Sequence, residues 1–292
     1  MSLTSLRSAN ATVPVVLFAH GALAPEIAEL CHRFGVMVAE QGPYRDRLAA
    51  MSSRGSGALA SFPLVHKGLN FAELAAADFG QVLCCDLDTV FLGDVDVLFD
   101  RYGGPDVVAR EEVHCERSIH GADPTFINET LFVYIASHLG RKVVPPFNTG
   151  VVLYNNRVVR RLADVMSTFV DDVWRLLCGL TIDGFANAGT ADDPAFEWMP
   201  AVRRDADRID LSRALPVPSN NAWIVEEIAW WLTLGSVPGL TYGDFSPHDV
   251  AQTNEFIVAA PDRSTWTVCH YFSRNLAAIA GWLNHSTFAE AS

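Results

Sequence analysis

Positive charge is scarce in this chain. Its 21 basic side chains face 34 acidic ones, giving a formal net charge of −13 over 292 residues. Only Lys67 and Lys142 are lysines, so the basic set reflects arginine usage rather than an electropositive patch. That balance argues against a nucleic acid as partner, because phosphate backbones are held by clustered positive charge. Long apolar runs are missing too. Val13–Ala19 and Ile224–Leu234 fall short of the roughly 20 residues that span a bilayer, and Glu226 and Glu227 interrupt the second. No transmembrane segment is expected. Arg7 followed by an apolar stretch faintly imitates a secretory signal, but Val13–Ala19 is short and β-branched and reads as a first strand. The six cysteines show no CxxC spacing, so reduced thiols and a cytoplasmic protein are the expectation. Repeats and low-complexity tracts are absent.

What the chain has in quantity is apolar surface. Half of its residues are hydrophobic and 19% are charged, enough for a large core and far from a disordered composition. Residues 1–12 read as a disordered leader. Val13–Ala19, Val36–Glu40, Gln81–Cys85, Asp106–Arg110, Phe147–Leu153 and Thr265–Tyr271 read as strands. Helices are expected over Glu26–Phe34, Lys67–Ala77, Asn156–Cys178, Trp223–Leu234 and Leu276–Leu283, with a surface loop over Gly179–Asp193. Alternating strands and helices predict an α/β fold with a central, mostly parallel sheet flanked by helices. The near-continuous apolar run Val82–Cys85 suggests a strand covered on both faces.

The most informative stretch is Val82-Leu-Cys-Cys-Asp86-Leu87-Asp88-Thr-Val-Phe-Leu-Gly93-Asp94. In extended backbone, residues two apart point to one side, so Asp86 and Asp88 offer two carboxylates at the carboxyl edge of a strand. α/β sheets bind ligands at that edge. Two hard oxygen ligands suit Mg²⁺ or Mn²⁺, which in turn bind diphosphates. An acidic pair in a solvated turn is the plain alternative. Asp86-Leu-Asp88-Thr-Val90 also resembles the haloacid dehalogenase family, which implies Asp86 as nucleophile of a phosphatase. That family places the motif near its N-terminus and needs a later basic residue and an acidic pair, and here Asp171-Asp172 falls within an expected helix.

The wider context resembles the glycogenin-like retaining glycosyltransferases of GT-A fold. Lys67-Gly-Leu-Asn-Phe-Ala-Glu-Leu, the Asp-x-Asp strand and its sequel Leu-Gly-Asp-Val-Asp-Val-Leu-Phe99 are similar to that family's segments, in its order. So are Phe147-Asn148-Thr149-Gly150 and, near the end, Val268-Cys-His270. The resemblance implies one GT-A-like catalytic domain over 13–292, with a nucleotide-binding part near 13–110 and an acceptor part near 111–292. It implies Mn²⁺, or Mg²⁺, held by Asp86, Asp88 and His270. The donor would be a nucleotide sugar, a UDP-sugar by resemblance, and the acceptor a sugar or glycoside.

The resemblance also distributes roles. Phe18, Ala19 and His20 end the strand that would cradle the nucleoside, although the family's usual Thr and Tyr are missing there. Lys67, Asp86, Leu87, Asn148, Thr149 and Gly150 would line the donor. Asn148 can both donate and accept toward sugar hydroxyls, and Gly150 would permit a close approach. Glu226 and Glu227 occupy the place of an Asp-Gln pair beside the reacting carbon, so they, with Asn148, are the catalytic expectation. Arg274 stands where the family carries a Gly-x-x-Lys-Pro-Trp segment and would clamp phosphate. Trp198, Trp223, Trp230 and Trp231 could stack on sugar rings, or serve as core. A nucleotide-sugar-binding protein without transfer activity is the remaining alternative.

Overall fold

The computed structural model describes residues 2–10, 12–19, 21–40, 70, 74–75, 77–111, 147–163, 165, 181–183, 203–205, 208–210, 230–231, 234–252 and 266–270. Within them the architecture is mixed α/β. The chain runs α1 (Ser2–Ala9), β1 (Val16–Ala19), α2 (Pro25–Arg33), β2 (Met37–Glu40), β3 (Gln81–Cys85), β4 (Thr89–Phe91), α3 (Asp96–Tyr102) and β5 (Val107–Glu111). It continues through β6 (Phe147–Asn155), β7 (Thr181–Asp183), β8 (Arg203–Asp205), β9 (Arg208–Asp210), β10 (Tyr242–Asp244), β11 (Val250–Gln252) and β12 (Val268–His270). A helix follows β6 over 156–163.

β1 and β2 pair in parallel, as a βα start predicts. The four-stranded sheet has the order β10-β5-β6-β3 and is mixed rather than mostly parallel, because β6 runs antiparallel to both β5 and β3. The expectation of parallel strands came from apolar continuity, and continuity reports burial on two faces rather than direction. β6 is buried at every position but its last and lies between two partners. A second sheet, β11-β12-β4, joins a parallel and an antiparallel pair. β7, β9 and β8 form a third, so strand pairing occurs at 181–183, where a surface loop was expected.

Residues 2–9, expected as a disordered leader, are helical. Isolated helices this short are unstable in water, so their order comes from tertiary contacts. Leu6 is buried in a cluster with Phe91, Val95, Leu98, Val151, Phe245 and Val268. The Phe91 amide donates to the Ser5 hydroxyl at 3.1 Å, and the Ser2 hydroxyl donates to the Leu87 carbonyl. Asn10 closes the segment, its side-chain oxygen accepting from the amide of Val13 at 2.8 Å.

Two buried carboxylates tie elements together. Asp249 accepts from Arg101 at 2.5 and 2.7 Å and from the Tyr102 hydroxyl, anchoring α3 to the turn before β11. Burial, with the hydrogen bond to Asp249, pushes the Tyr102 phenol up. Asp106 accepts from Arg157 at 2.6 Å and from the amide and hydroxyl of Thr241 at 3.0 and 2.9 Å. Burial pushes the Asp106 carboxyl up, but the hydrogen bonds from Arg157 and Thr241 outweigh it and hold it below the usual range.

Trp230 and Trp231 are each 1% exposed, and their indole N–H groups donate to the Tyr154 hydroxyl at 2.6 Å and the Phe147 carbonyl at 2.8 Å. They are core residues, not stacking platforms. Trp198 and Trp223 lie outside the described residues, as do the expected helix at 276–283 and Asp171-Asp172.

Candidate functional site

Strand register explains why Asp86, Asp88 and His270 meet. β3 pairs with β6 so that Cys85 stands opposite Val151, and the next amide, Asp86, donates to the Gly150 carbonyl at 2.8 Å. The chain then leaves the four-stranded sheet through Asp86-Leu87-Asp88 and enters β4, in the second sheet. There His270 on β12 pairs directly with Thr89. The Asp-x-Asp turn is therefore the bridge between two sheets, and β12 delivers its histidine to the residue following Asp88.

His270 Nε2 lies 3.3 Å from Asp88 Oδ1 and 3.7 Å from Asp86 Oδ2. One ligand atom from each of the three can be chosen so that all lie within 4.8 Å of one another. A hard cation with ligands near 2.1 Å holds neighbouring donors about 3 Å apart and opposite donors about 4.2 Å apart, and the 3.3 and 3.7 Å from Nε2 to the two carboxylates fall within that range. Burial is graded, with His270 3% exposed and the two aspartates half-buried. The imidazole is thus fixed while the carboxylates keep access to solvent or ligand. Two carboxylates and one imidazole make a donor set that divalent ions of intermediate softness accept.

The other side of the imidazole is equally defined. His270 Nδ1 lies 3.0 Å from Asn148 Oδ1, which also accepts from the Gly150 amide at 2.9 Å. Gly150 matters here because a Cβ at that position would stand 2.6 Å from Nε2 and closer still to Cε1 and Nδ1 of the same ring. The close approach that glycine permits is made by His270. Thr89, in register with His270 on β4, is fully buried, and its hydroxyl oxygen has no hydrogen-bond partner among the described residues. Gln252, opposite His270 on β11, is buried at 1% exposure. Neither residue gives a sequence signal, because the row Gln252–His270–Thr89 exists only through pairing of three distant segments.

Of the other expected site residues, Phe18 and Ala19 are half-buried at the carboxyl end of β1. Leu87 is 76% exposed at the tip of the Asp-x-Asp turn. Thr149 is buried beside Asn148 on β6. His20, Lys67, Glu226, Glu227 and Arg274 lie outside the described residues. Among the described residues no helix is long and apolar enough to cross a membrane.

The chain is similar in structure to mouse xyloside xylosyltransferase 1 in its apo form, with a TM-score of 0.49, 12% identity, and coverage of 94% of this chain and 90% of that one. It is also similar to the glycosyltransferase GlyE of Streptococcus pneumoniae, with a TM-score of 0.42, 14% identity, and coverage of 94% and 51%. A third likeness is to an active-site mutant of LgtC, with a TM-score of 0.35, 15% identity, and coverage of 93% and 81%. No protein-family model and no curated protein sequence matches this chain.

Proposed function

We propose that this protein is a metal-dependent retaining glycosyltransferase that moves a hexose from a UDP-sugar to a sugar or glycoside acceptor. One observation carries the reading: Asp86, Asp88 and His270 converge at the carboxyl end of β3, the edge where α/β sheets take ligands. The motif order Lys67, Asp86-x-Asp88, Asn148-x-Gly150 and His270 supports it independently.

Asp86, Asp88 and His270 would hold Mn²⁺ or Mg²⁺, the imidazole favouring Mn²⁺. A bound divalent ion supplies positive charge to the departing diphosphate. The chain's own groups then bind and orient. Phe18, Ala19 and His20 would flank the nucleoside at the end of β1, and Leu87, with Thr149 and Gly150, would border the donor. Lys67 and Arg274 would neutralise the phosphates, and Glu226 and Glu227 would stand beside the reacting carbon. In transfer, the bond between the anomeric carbon and the diphosphate oxygen breaks. The acceptor oxygen bonds to the same face of that carbon, and its proton passes to the leaving diphosphate.

The test is release of UDP from a panel of UDP-sugars in the presence of Mn²⁺, with and without simple glycosides. The reading predicts release from at least one donor, accelerated by an acceptor and reduced at least about 100-fold by Asp88→Asn, the cost expected when a charge-stabilising group is removed. Absence of UDP release alongside phosphate release from small phosphate esters would instead favour the dehalogenase-like phosphatase. UDP binding without turnover would favour the binding protein.

A further inference from the structure

We infer that Asn148 is a positioning residue that sets the tautomer and orientation of His270 for metal binding. The inference rests on the metal-centre reading above and deepens it.

The proton positions follow from one backbone group. An amide N–H can only donate, and the Gly150 N–H meets the Asn148 side chain at 2.9 Å. The atom it meets is therefore the carboxamide oxygen, which removes the usual ambiguity between the two ends of an asparagine. That oxygen can only accept. The ring nitrogen 3.0 Å away, His270 Nδ1, must then carry its proton. As a metal ligand the imidazole is neutral and has one protonated nitrogen, so its lone pair resides on Nε2, the atom facing Asp88 and Asp86 at 3.3 and 3.7 Å. A lone pair directed among carboxylate oxygens is the arrangement that a shared divalent ion completes. A metal-bound histidine typically donates its other N–H to an oxygen that fixes the ring, and here a carboxamide takes that part.

Sterics reinforce the assignment. Asn148 is 5% and His270 3% exposed, and the imidazole occupies the space a Cβ at Gly150 would fill. The segment Asn148-Thr-Gly150 is therefore a seat for the ring, with an acceptor at one position and a cleared surface two residues later. A carboxamide oxygen has two lone pairs, and the Gly150 and His270 donors use both, so that oxygen is committed to the seat.

The test is Mn²⁺ binding to the full chain, read from the electron paramagnetic resonance signal of free Mn²⁺, for wild type, Asp88→Ala, Asn148→Ala and Asn148→Asp. Asn148→Ala is expected to weaken binding about 10- to 100-fold. Asn148→Asp is expected to bind at least as tightly as wild type, because a carboxylate accepts from both donors. Binding by Asn148→Ala equal to wild type, while Asp88→Ala loses it, would overturn the inference and leave the metal centre standing. Equal binding by wild type and Asp88→Ala would overturn the metal centre itself and, with it, this role. Should Asn148→Ala fail to fold, the long-range ¹H–¹⁵N spectrum of Cd²⁺-loaded wild type decides. A proton on His270 Nδ1 supports the inference, and one on Nε2 overturns it.

Discussion

At the scale of single residues, the site depends on what Gly150 lacks. A methyl group there would press on the His270 ring, 2.6 Å from Nε2, in a place where both backbone and ring are buried. Overpacking of this kind costs about 1–3 kcal/mol. Gly150→Ala should lower the melting temperature by several degrees and weaken Mn²⁺ binding at least about tenfold. An unchanged Mn²⁺ affinity in titrations would show that the ring does not need its seat. The sequence made the grouping of Asp86, Asp88 and His270 legible, because each belongs to a compact motif with a chemical reason for its residue types. It left open what Asn148 and Gly150 face. Side-chain spacing along one strand says which residues share a face, whereas the partner came from β12, more than a hundred residues later. Trp230 and Trp231 were ambiguous for the same reason. Only the acceptors Tyr154 and Phe147, on β6, reveal them as core.

At the scale of elements, Asp106 joins β5 to the helix over 156–163 and to the segment entering β10. Its Oδ1 accepts from Arg157, and its Oδ2 accepts from the Thr241 amide and hydroxyl. An asparagine would have to turn an NH₂ group toward one of these donors, costing about 1–3 kcal/mol. Most of that falls on Thr241, because Arg157 is 63% exposed and its ion pair is screened. The folded carboxyl is held below its unfolded value of about 3.9. Its stabilisation is therefore complete above that value and lost as the pH falls through the lower, folded one. Denaturant unfolding should show Asp106→Asn clearly less stable than wild type at pH 7, with the gap closing below about pH 4. An equal gap at pH 7 and pH 3 would mean that the charge plays no part.

The strands β1, β2, β3, β5, β6 and β12 were legible because apolar, β-branched runs bounded by turn residues mark burial. Strand direction was not, since β6 is equally apolar and buried while antiparallel to both neighbours. The helices α1 and α3 were also missed. α1 holds its shape through Leu6, Ser5 and Asn10, which engage residues far along the chain, and local propensity carries no trace of such contacts.

For the whole molecule, two sheets meet through a three-residue turn, and the proposed metal centre lies at that junction. Core clusters on either side, around Leu98, Phe245 and Val268 and around Val90, Trp266 and Cys269, hold β4 and β12 in register. The aspartates therefore need no bound ligand to be near His270, and ligand binding should add stability that rises with the logarithm of ligand concentration above the dissociation constant. The most direct test is thermal unfolding of wild type and Asp88→Ala with UDP, each in Mn²⁺ and in chelator. At a UDP concentration near 100 times its dissociation constant the gain is about 2.7 kcal/mol, or about 5 °C for a chain of this size. The account predicts that shift for wild type with Mn²⁺, and none for wild type in chelator or for Asp88→Ala. A UDP shift indifferent to Mn²⁺ and to Asp88, or no shift in any arm, would contradict it.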